Sequence, residues 1–141
     1  MNDLDALEET LAEQFPELEL RRGQKSYRWY GKFMNDSRDY GSHDPKTFGR
    51  GEHAIGIRGD RTGYEIGLVA DGAGGFAVLY DAWGPGHKLT ELVGAGAAAL
   101  KQEYAFTVAS RKAKATLGRK GWTTSRERMP DGRLKLKLRK R

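Results

Sequence analysis

The end of the chain has the most regular pattern of polar and apolar residues. From Arg133 to Arg139, cations and leucines alternate without a break. A β-strand turns successive side chains to opposite faces, so the pattern predicts a strand with one apolar and one cationic face. The two faces are Leu134, Leu136 and Leu138 on one side, and Arg133, Lys135, Lys137 and Arg139 on the other. We expect the leucines to pack against the preceding helix and the cations to face water.

That preceding helix is predicted from a stripe of apolar residues that recur every three or four positions. The stripe comprises Leu89, Val93, Ala97, Leu100, Tyr104 and Val108. It predicts one long helix that begins near Leu89, and Gly118 and Gly121 offer two places for it to end. Trp122 then opens a β-hairpin. The sequence 129–132, Met-Pro-Asp-Gly, is typical of a type I turn between its two strands.

The first part of the chain predicts a short helix followed by strands. A helical stripe of apolar residues is formed by Leu4, Leu7, Leu11 and Phe15. Asn2 or Asp3 can cap this helix, and Pro16 ends it. A short strand is predicted at 17–22, and three further strands at 53–58, 64–70 and 76–83 alternate with turn sequences. The predicted fold is a single α+β domain over residues 1–141. Its antiparallel sheet of six or seven strands packs against a long C-terminal helix and a short N-terminal helix.

Two segments between the first and second predicted strands have unusual composition. Residues 27–33 interleave aromatic residues with cations. This pattern is typical of a strand with an aromatic core face, or of a stacking surface for nucleic-acid bases in which Trp29 and Tyr30 take part. Residues 35–52 predict a long irregular loop, either functional or mobile. His43, Asp44 and His53 lie in or beside this loop, but their spacing matches no metal-binding pattern, so no metal site is predicted.

Charge is segregated along the chain. The net charge is +6, with seven acids and no base in residues 1–19 and fourteen Lys or Arg against three acids in residues 101–141. A basic end favours a polyanionic partner, or pairing with the acidic N-terminal helix of its own chain or of another protein. The absence of cysteine excludes disulfides. Without a signal peptide or a membrane-length apolar stretch, the expectation is a soluble cytoplasmic protein with no membrane partner.

Several motifs resemble a known family. They are Tyr64-Glu65-Ile66-Gly67-Leu68, Gly75-Phe76, Tyr80-Asp81-Ala82-Trp83, the run from Glu103 to Val108, Gly121-Trp122, and Asp131-Gly132-Arg133-Leu134. In this order they are similar to the uncharacterised cyanobacterial, plastid and phage family called hypothetical chloroplast reading frame thirty-five, over roughly residues 53–140. The resemblance implies a small α+β protein without an assigned activity, sometimes encoded near an ATPase of the AAA type. It carries over no catalytic residue.

Nothing in the sequence forms a catalytic constellation. The three histidines fall in or at the edges of loops and turns, and no nucleophile, paired carboxylate or ligand cluster accompanies them. No catalytic residue and no cofactor are therefore predicted.

Two functional hypotheses remain open. The first is a non-enzymatic binding protein for nucleic acid or a nucleotide. Its phosphate contacts would come from the hairpin cations Arg126, Arg128, Arg133, Lys135, Lys137 and Arg139, with Trp29 and Tyr30 as stacking platforms. The second is an adaptor or subunit of a protein complex, for example with an AAA-type ATPase, that docks through its acidic helix and basic hairpin. A solvated strand face that blunts an exposed edge explains the cations equally well.

Overall fold

The computed structural model describes residues 1–29, 49–60, 62–82, 84, 86–117 and 121–140. The helices of this part of the chain are α1 Leu4–Gln14, α2 Gly86–Val93 and α3 Ala98–Leu117. Its strands are β1 Leu18–Arg21, β2 His53–Ile57, β3 Ile66–Ala70, β4 Phe76–Leu79, β5 Trp122–Arg128 and β6 Leu134–Lys140. The predicted α+β class, the short N-terminal helix and the long C-terminal helix are confirmed.

The described strands form two antiparallel sheets. Strands β1 to β4 pair in chain order as a four-stranded meander, and β5 pairs with β6 alone. The prediction of a single sheet of six or seven strands is therefore wrong. The physical reason is that β5 and β6 pack on α3, which meets them with Glu103 and Phe106, instead of extending the meander. Just before the segment predicted as an additional strand at 27–33, Ser26 forms an isolated bridge with Arg50. Residues 30–33 lie outside the described part of the chain.

The core lies between the meander and the helices. Its fully buried large side chains include Leu7, Leu18, Ile55, Ile66, Leu68, Leu89 and Leu100. Helix α1 is capped as predicted, because the Asp3 carboxylate accepts a hydrogen bond of 3.0 Å from the backbone N–H of Ala6. The hydroxyls of Thr10 and Thr107 lie 2.8 Å apart in the interior and join α1 to α3. These contacts fix α3 against the core on one side and leave its other side for the hairpin.

The predicted long helix is interrupted. Its apolar stripe is buried as expected from Leu89 to Tyr104, but α2 ends at Val93 and α3 begins only at Ala98. Between them Gly94 and Gly96 adopt φ angles of 85° and 60°, in the left-handed region that glycine enters without steric cost. The continuous helix from Leu89 is thus wrong. The break includes the two glycines and also Ala97, which has a φ of 62° despite its side chain.

The outer face of the meander, opposite the helices, is covered by the segment that follows β1. Glycines replace side chains there: a Cβ on Gly67 would overlap the ring of Tyr27, and one on Gly56 would overlap the guanidinium of Arg21 at the end of β1. Tyr27 is only 3 % exposed. Arg21 Nη1 donates a hydrogen bond of 2.6 Å to Oε2 of the buried Glu65. The segment with interleaved aromatics and cations therefore begins as a packed outer layer.

Candidate functional site

The C-terminal hairpin is built by its turn and by the register of its strands. The N–H of Gly132 donates to the carbonyl of Met129 over 2.9 Å, and the N–H of Met129 donates to the carbonyl of Arg133 over 2.7 Å. Gly132 has φ 89°, as expected for the last position of a three-residue hairpin loop. The predicted hairpin and its turn are confirmed. The register pairs Arg126 with Leu136 and Arg128 with Leu134.

One face of the hairpin is directed at α3. Because residues opposite each other in an antiparallel pair share a face, Arg126 and Arg128 lie on the leucine side. Arg126 Nη2 donates to both carboxylate oxygens of Glu103 at 2.8 Å, and Arg128 Nη2 donates to Oε1 at 3.2 Å. The Arg126 guanidinium also lies 5.2 Å from the centre of the Phe106 ring. A single buried carboxylate on α3 thus holds two hairpin arginines.

The predicted burial of the leucines holds for two of the three. Leu134 and Leu136 are partly buried, whereas Leu138 is 43 % exposed. Leu138 pairs with Thr124, whose hydroxyl lies 3.4 Å from that of Ser110 on α3. The helix is polar at this level, so it offers Leu138 no apolar surface.

The opposite face of the hairpin is open to solvent. We call it the ribbon face, and it consists of Thr123, Ser125 and Glu127 on β5 and Lys135, Lys137 and Arg139 on β6. Its three cations are all exposed. Lys137 Nζ lies 3.1 Å from Oε2 of Glu127, and both side chains are about half exposed. Within the described part of the chain, Lys135 and Arg139 have no ion-pair partner.

The six cations predicted as one anion-binding set are therefore divided. Lys135, Lys137 and Arg139 belong to the ribbon face, while Arg126 and Arg128 face α3. The sixth, Arg133, donates from Nε to Asp131 over 2.6 Å at the turn. The division depends on the register between β5 and β6, which the alternation within β6 does not specify. Glu103 was not predicted as a partner, although a lone acid on a basic helix was a usable signal.

The acidic helix does not neutralise the hairpin. Arg22 Nη2 lies 2.8 Å from Asp5 and 2.6 Å from Glu8, and Arg111 of α3 lies 2.7 Å from Glu9. The hydrogen bond from Arg22 lowers the pKa of the Asp5 carboxyl below its usual value. Among the described residues, no ion pair joins α1 to β5 or β6. The acids of α1 instead pair with the chain after β1 and with α3.

A groove of about 280 Å³ lies between α1, α3 and β5. Its charged lining comprises Glu9, Glu13, Arg111, Lys114 and Arg126. Because both signs of charge face this space, it has no clear preference for an anion. The ribbon face is more uniformly positive.

The two predicted stacking residues are not brought to the hairpin. A Cβ on Gly49 would overlap the indole ring of Trp29, which places Trp29 in the outer layer beside Tyr27. The meander and α3 lie between this layer and the ribbon face. Tyr30 lies outside the described residues, as does the greater part of the predicted loop at 35–52.

The described histidine nearest that loop has a structural role. His53 Nδ1 accepts a hydrogen bond of 2.8 Å from the N–H of Gly23, and its ring meets Phe76 edge-on at 5.2 Å. No group of three or more His, Asp or Glu in the described part of the chain is arranged to hold a metal ion. His43 and Asp44 lie outside it.

The comparisons with known proteins found no match for this chain. The comparison with family models gives no match, and neither the curated proteins nor the solved structures include a significantly similar one. The resemblance to the chloroplast reading-frame family therefore stays a prediction. Among the described helices, none is both long enough and apolar enough to cross a membrane.

Proposed function

We propose that the protein binds nucleic acid, without catalysis, through the ribbon face of its C-terminal hairpin. The observation that carries this proposal is the row of exposed cations at every second residue of β6: Lys135, Lys137 and Arg139. Two of the three have no acidic partner in the described structure. A row of uncompensated cations is the electrostatic feature that phosphate backbones bind.

The spacing of the row supports the same partner. Residues two apart on a strand are separated by about 6.8 Å, since each residue advances the chain by about 3.4 Å. This is comparable to the distance between neighbouring phosphates of an extended nucleic-acid strand. Small nucleotides would reach only one or two of the cations at a time, so a polymer gains more from the row.

A salt titration with a charge-reversed variant tests the proposal. Lys135 and Arg139 can contact phosphates while Lys137 is paired with Glu127. For these two contacts we expect log Kd to change with log salt by a slope of about 1.4 to 1.8. The double variant Lys135→Glu, Arg139→Glu should lose at least about tenfold in affinity, because each change removes one phosphate contact and adds a repulsion. Filter binding measures both quantities.

The matched control is Lys88→Glu, Lys112→Glu. It makes the same change in net charge at two exposed lysines, one on α2 and one on α3, away from the hairpin. We expect its affinity to stay within a small factor of the wild type. Equal losses in the two variants would mean that net charge alone attracts the nucleic acid, and the absence of binding by the wild type would refute the proposal. Circular dichroism confirms that each variant is folded.

The adaptor hypothesis has less support. Docking of a protein partner on the acidic face of α1, for example an AAA-type ATPase, needs carboxylates that are free to pair. Asp5, Glu8 and Glu9 already form ion pairs within the chain. These exposed pairs cost little to separate, but they already balance part of the negative charge that would attract a basic partner.

A further inference from the structure

We infer that the nucleic acid bound by the hairpin is duplex DNA, and that β5 and β6 enter its major groove with the ribbon face towards the base edges. This inference rests on the proposed function and narrows it to one class of partner. It is carried by the architecture of the hairpin: a two-stranded ribbon with its back held on a helix and its front free.

The back of the ribbon is fixed to the body of the protein. Leu134 and Leu136 pack towards α3, and Glu103 of that helix binds Arg126 and Arg128. These contacts lie on one face only, so the ribbon turns its other face to solvent. Neither strand pairs with a third among the described residues.

The width of the ribbon suits the major groove of B-DNA. Two paired strands lie about 4.8 Å apart, and their side chains stand on the face that would enter the groove. The groove is about 12 Å wide and admits a two-stranded antiparallel ribbon. In duplex RNA the major groove is narrow and deep, and side chains cannot read it. The same surface should therefore discriminate between the two kinds of duplex.

The chemistry of the ribbon face also favours a duplex over a single strand. Proteins that bind single strands stack the bases on aromatic side chains. The ribbon face has none, and Trp122 of β5 belongs by its register to the opposite face. What the face does offer is hydrogen bonding: Lys and Arg donate to guanine O6 and N7, and serine hydroxyls bond to several base edges.

One acid lies on the ribbon face, and it too can contact a base edge. Glu127 pairs with Lys137 across the two strands at 3.1 Å. Because the pair is half exposed, separating it costs little. The carboxylate can then accept a hydrogen bond from cytosine N4 while the lysine turns to guanine or to a phosphate.

The test compares three nucleic acids of one sequence by fluorescence anisotropy: a short DNA duplex, the RNA duplex and the DNA single strand. At about 100 mM salt we expect the DNA duplex to bind at least about tenfold more tightly than either of the others. A second DNA duplex, methylated at guanine N7 with dimethyl sulfate, should bind about tenfold more weakly than the unmodified one because that atom lies in the major groove. Netropsin, which occupies the minor groove, should not displace the protein.

The outcomes separate this inference from the proposed function. Equal affinity for the three nucleic acids, indifference to N7 methylation, or displacement by netropsin would each overturn the major-groove inference. Phosphate binding by the ribbon face would survive those results as long as the Lys135→Glu, Arg139→Glu variant loses affinity. If that variant binds as tightly as the wild type, the proposed function itself is wrong.

Discussion

At the scale of single residues, the most constrained group is the carboxylate of Glu65, which is 1 % exposed. Burial by itself would raise the pKa of this carboxyl. Hydrogen bonds from Gln24, from the backbone N–H of Arg28 and from Arg21 outweigh the burial, so the pKa lies below its ordinary value of 4.5. The ionised form of Glu65 therefore fastens the outer layer to the meander.

Replacing this carboxylate tests its role in stability. Glu65→Gln leaves the buried guanidinium of Arg21 with Glu19 as its remaining carboxylate partner. We expect the free energy of unfolding to fall by about 2 to 3 kcal/mol, since the neutral amide no longer balances the buried guanidinium and Glu19 alone then neutralises it. Urea denaturation followed by circular dichroism measures the loss. Glu52→Gln, which removes the exposed partner of Lys25, is the control and should change stability little.

The same carboxylate predicts a dependence on pH. Because the pKa of Glu65 is lower in the folded than in the unfolded protein, its ionised form stabilises the fold above about pH 4.5. That contribution is lost as the pH falls from there through the folded-state pKa. The wild type should therefore lose more stability than Glu65→Gln between about pH 5 and 3. Parallel stability curves for the two proteins, measured by urea denaturation at each pH, would contradict this assignment.

At the scale of the elements, sequence periodicity predicted which segments form strands and helices better than it predicted their neighbours. The capped α1, the three central strands and the Pro-Asp-Gly turn follow from local chemistry. The separation into two sheets does not follow from local chemistry, because Leu134 and Leu136 can be buried either against a helix or against the edge of a sheet. The break before α3 has a local cause in Gly94 and Gly96, yet the apolar stripe continues through it and predicts a helix.

The two glycines at the break differ in a testable way. An added Cβ on Gly94 would lie 2.9 Å from the backbone N of Ala99, whereas one on Gly96 would have no atom within 4 Å. Both have positive φ, so alanine at either position costs about 1 kcal/mol in backbone strain. Gly94→Ala should cost a further 1 kcal/mol or more, since it also displaces the start of α3. Thermal unfolding of the two variants compares them, and a smaller loss for Gly94→Ala would contradict this account.

At the scale of the whole molecule, opposite charges are separated along the chain and remain largely separated in the structure. Helix α1 pairs with Arg22 and with Arg111, and the ribbon face is left positive. The cations of β6 could be predicted as an exposed row from alternation alone. The opposite orientation of Arg126 and Arg128 could not be predicted, because the register between β5 and β6 decides which residues of β5 share a face with the leucines.

Removing the acid of the ribbon face should raise the affinity for nucleic acid, whereas the charge reversals at Lys135 and Arg139 should lower it. Glu127→Gln removes the one negative charge of that face and frees Lys137 from its ion pair. We expect affinity for nucleic acid of unselected sequence to rise by about twofold to tenfold, with a steeper salt dependence, because the face gains about one phosphate contact. Glu91→Gln, an exposed acid on α2, is the control and should leave affinity unchanged. Weaker binding by Glu127→Gln would count against the assigned face.

The order of α3, β5 and β6 along the chain has a kinetic consequence. The hairpin closes over three residues and docks on the helix that directly precedes it, so its assembly orders few intervening residues. Strand β1, by contrast, pairs with β2 across the intervening residues 22–52, and α1 packs against α3 from the other end of the chain. We therefore expect the cationic end to acquire its shape early in folding, before the meander closes.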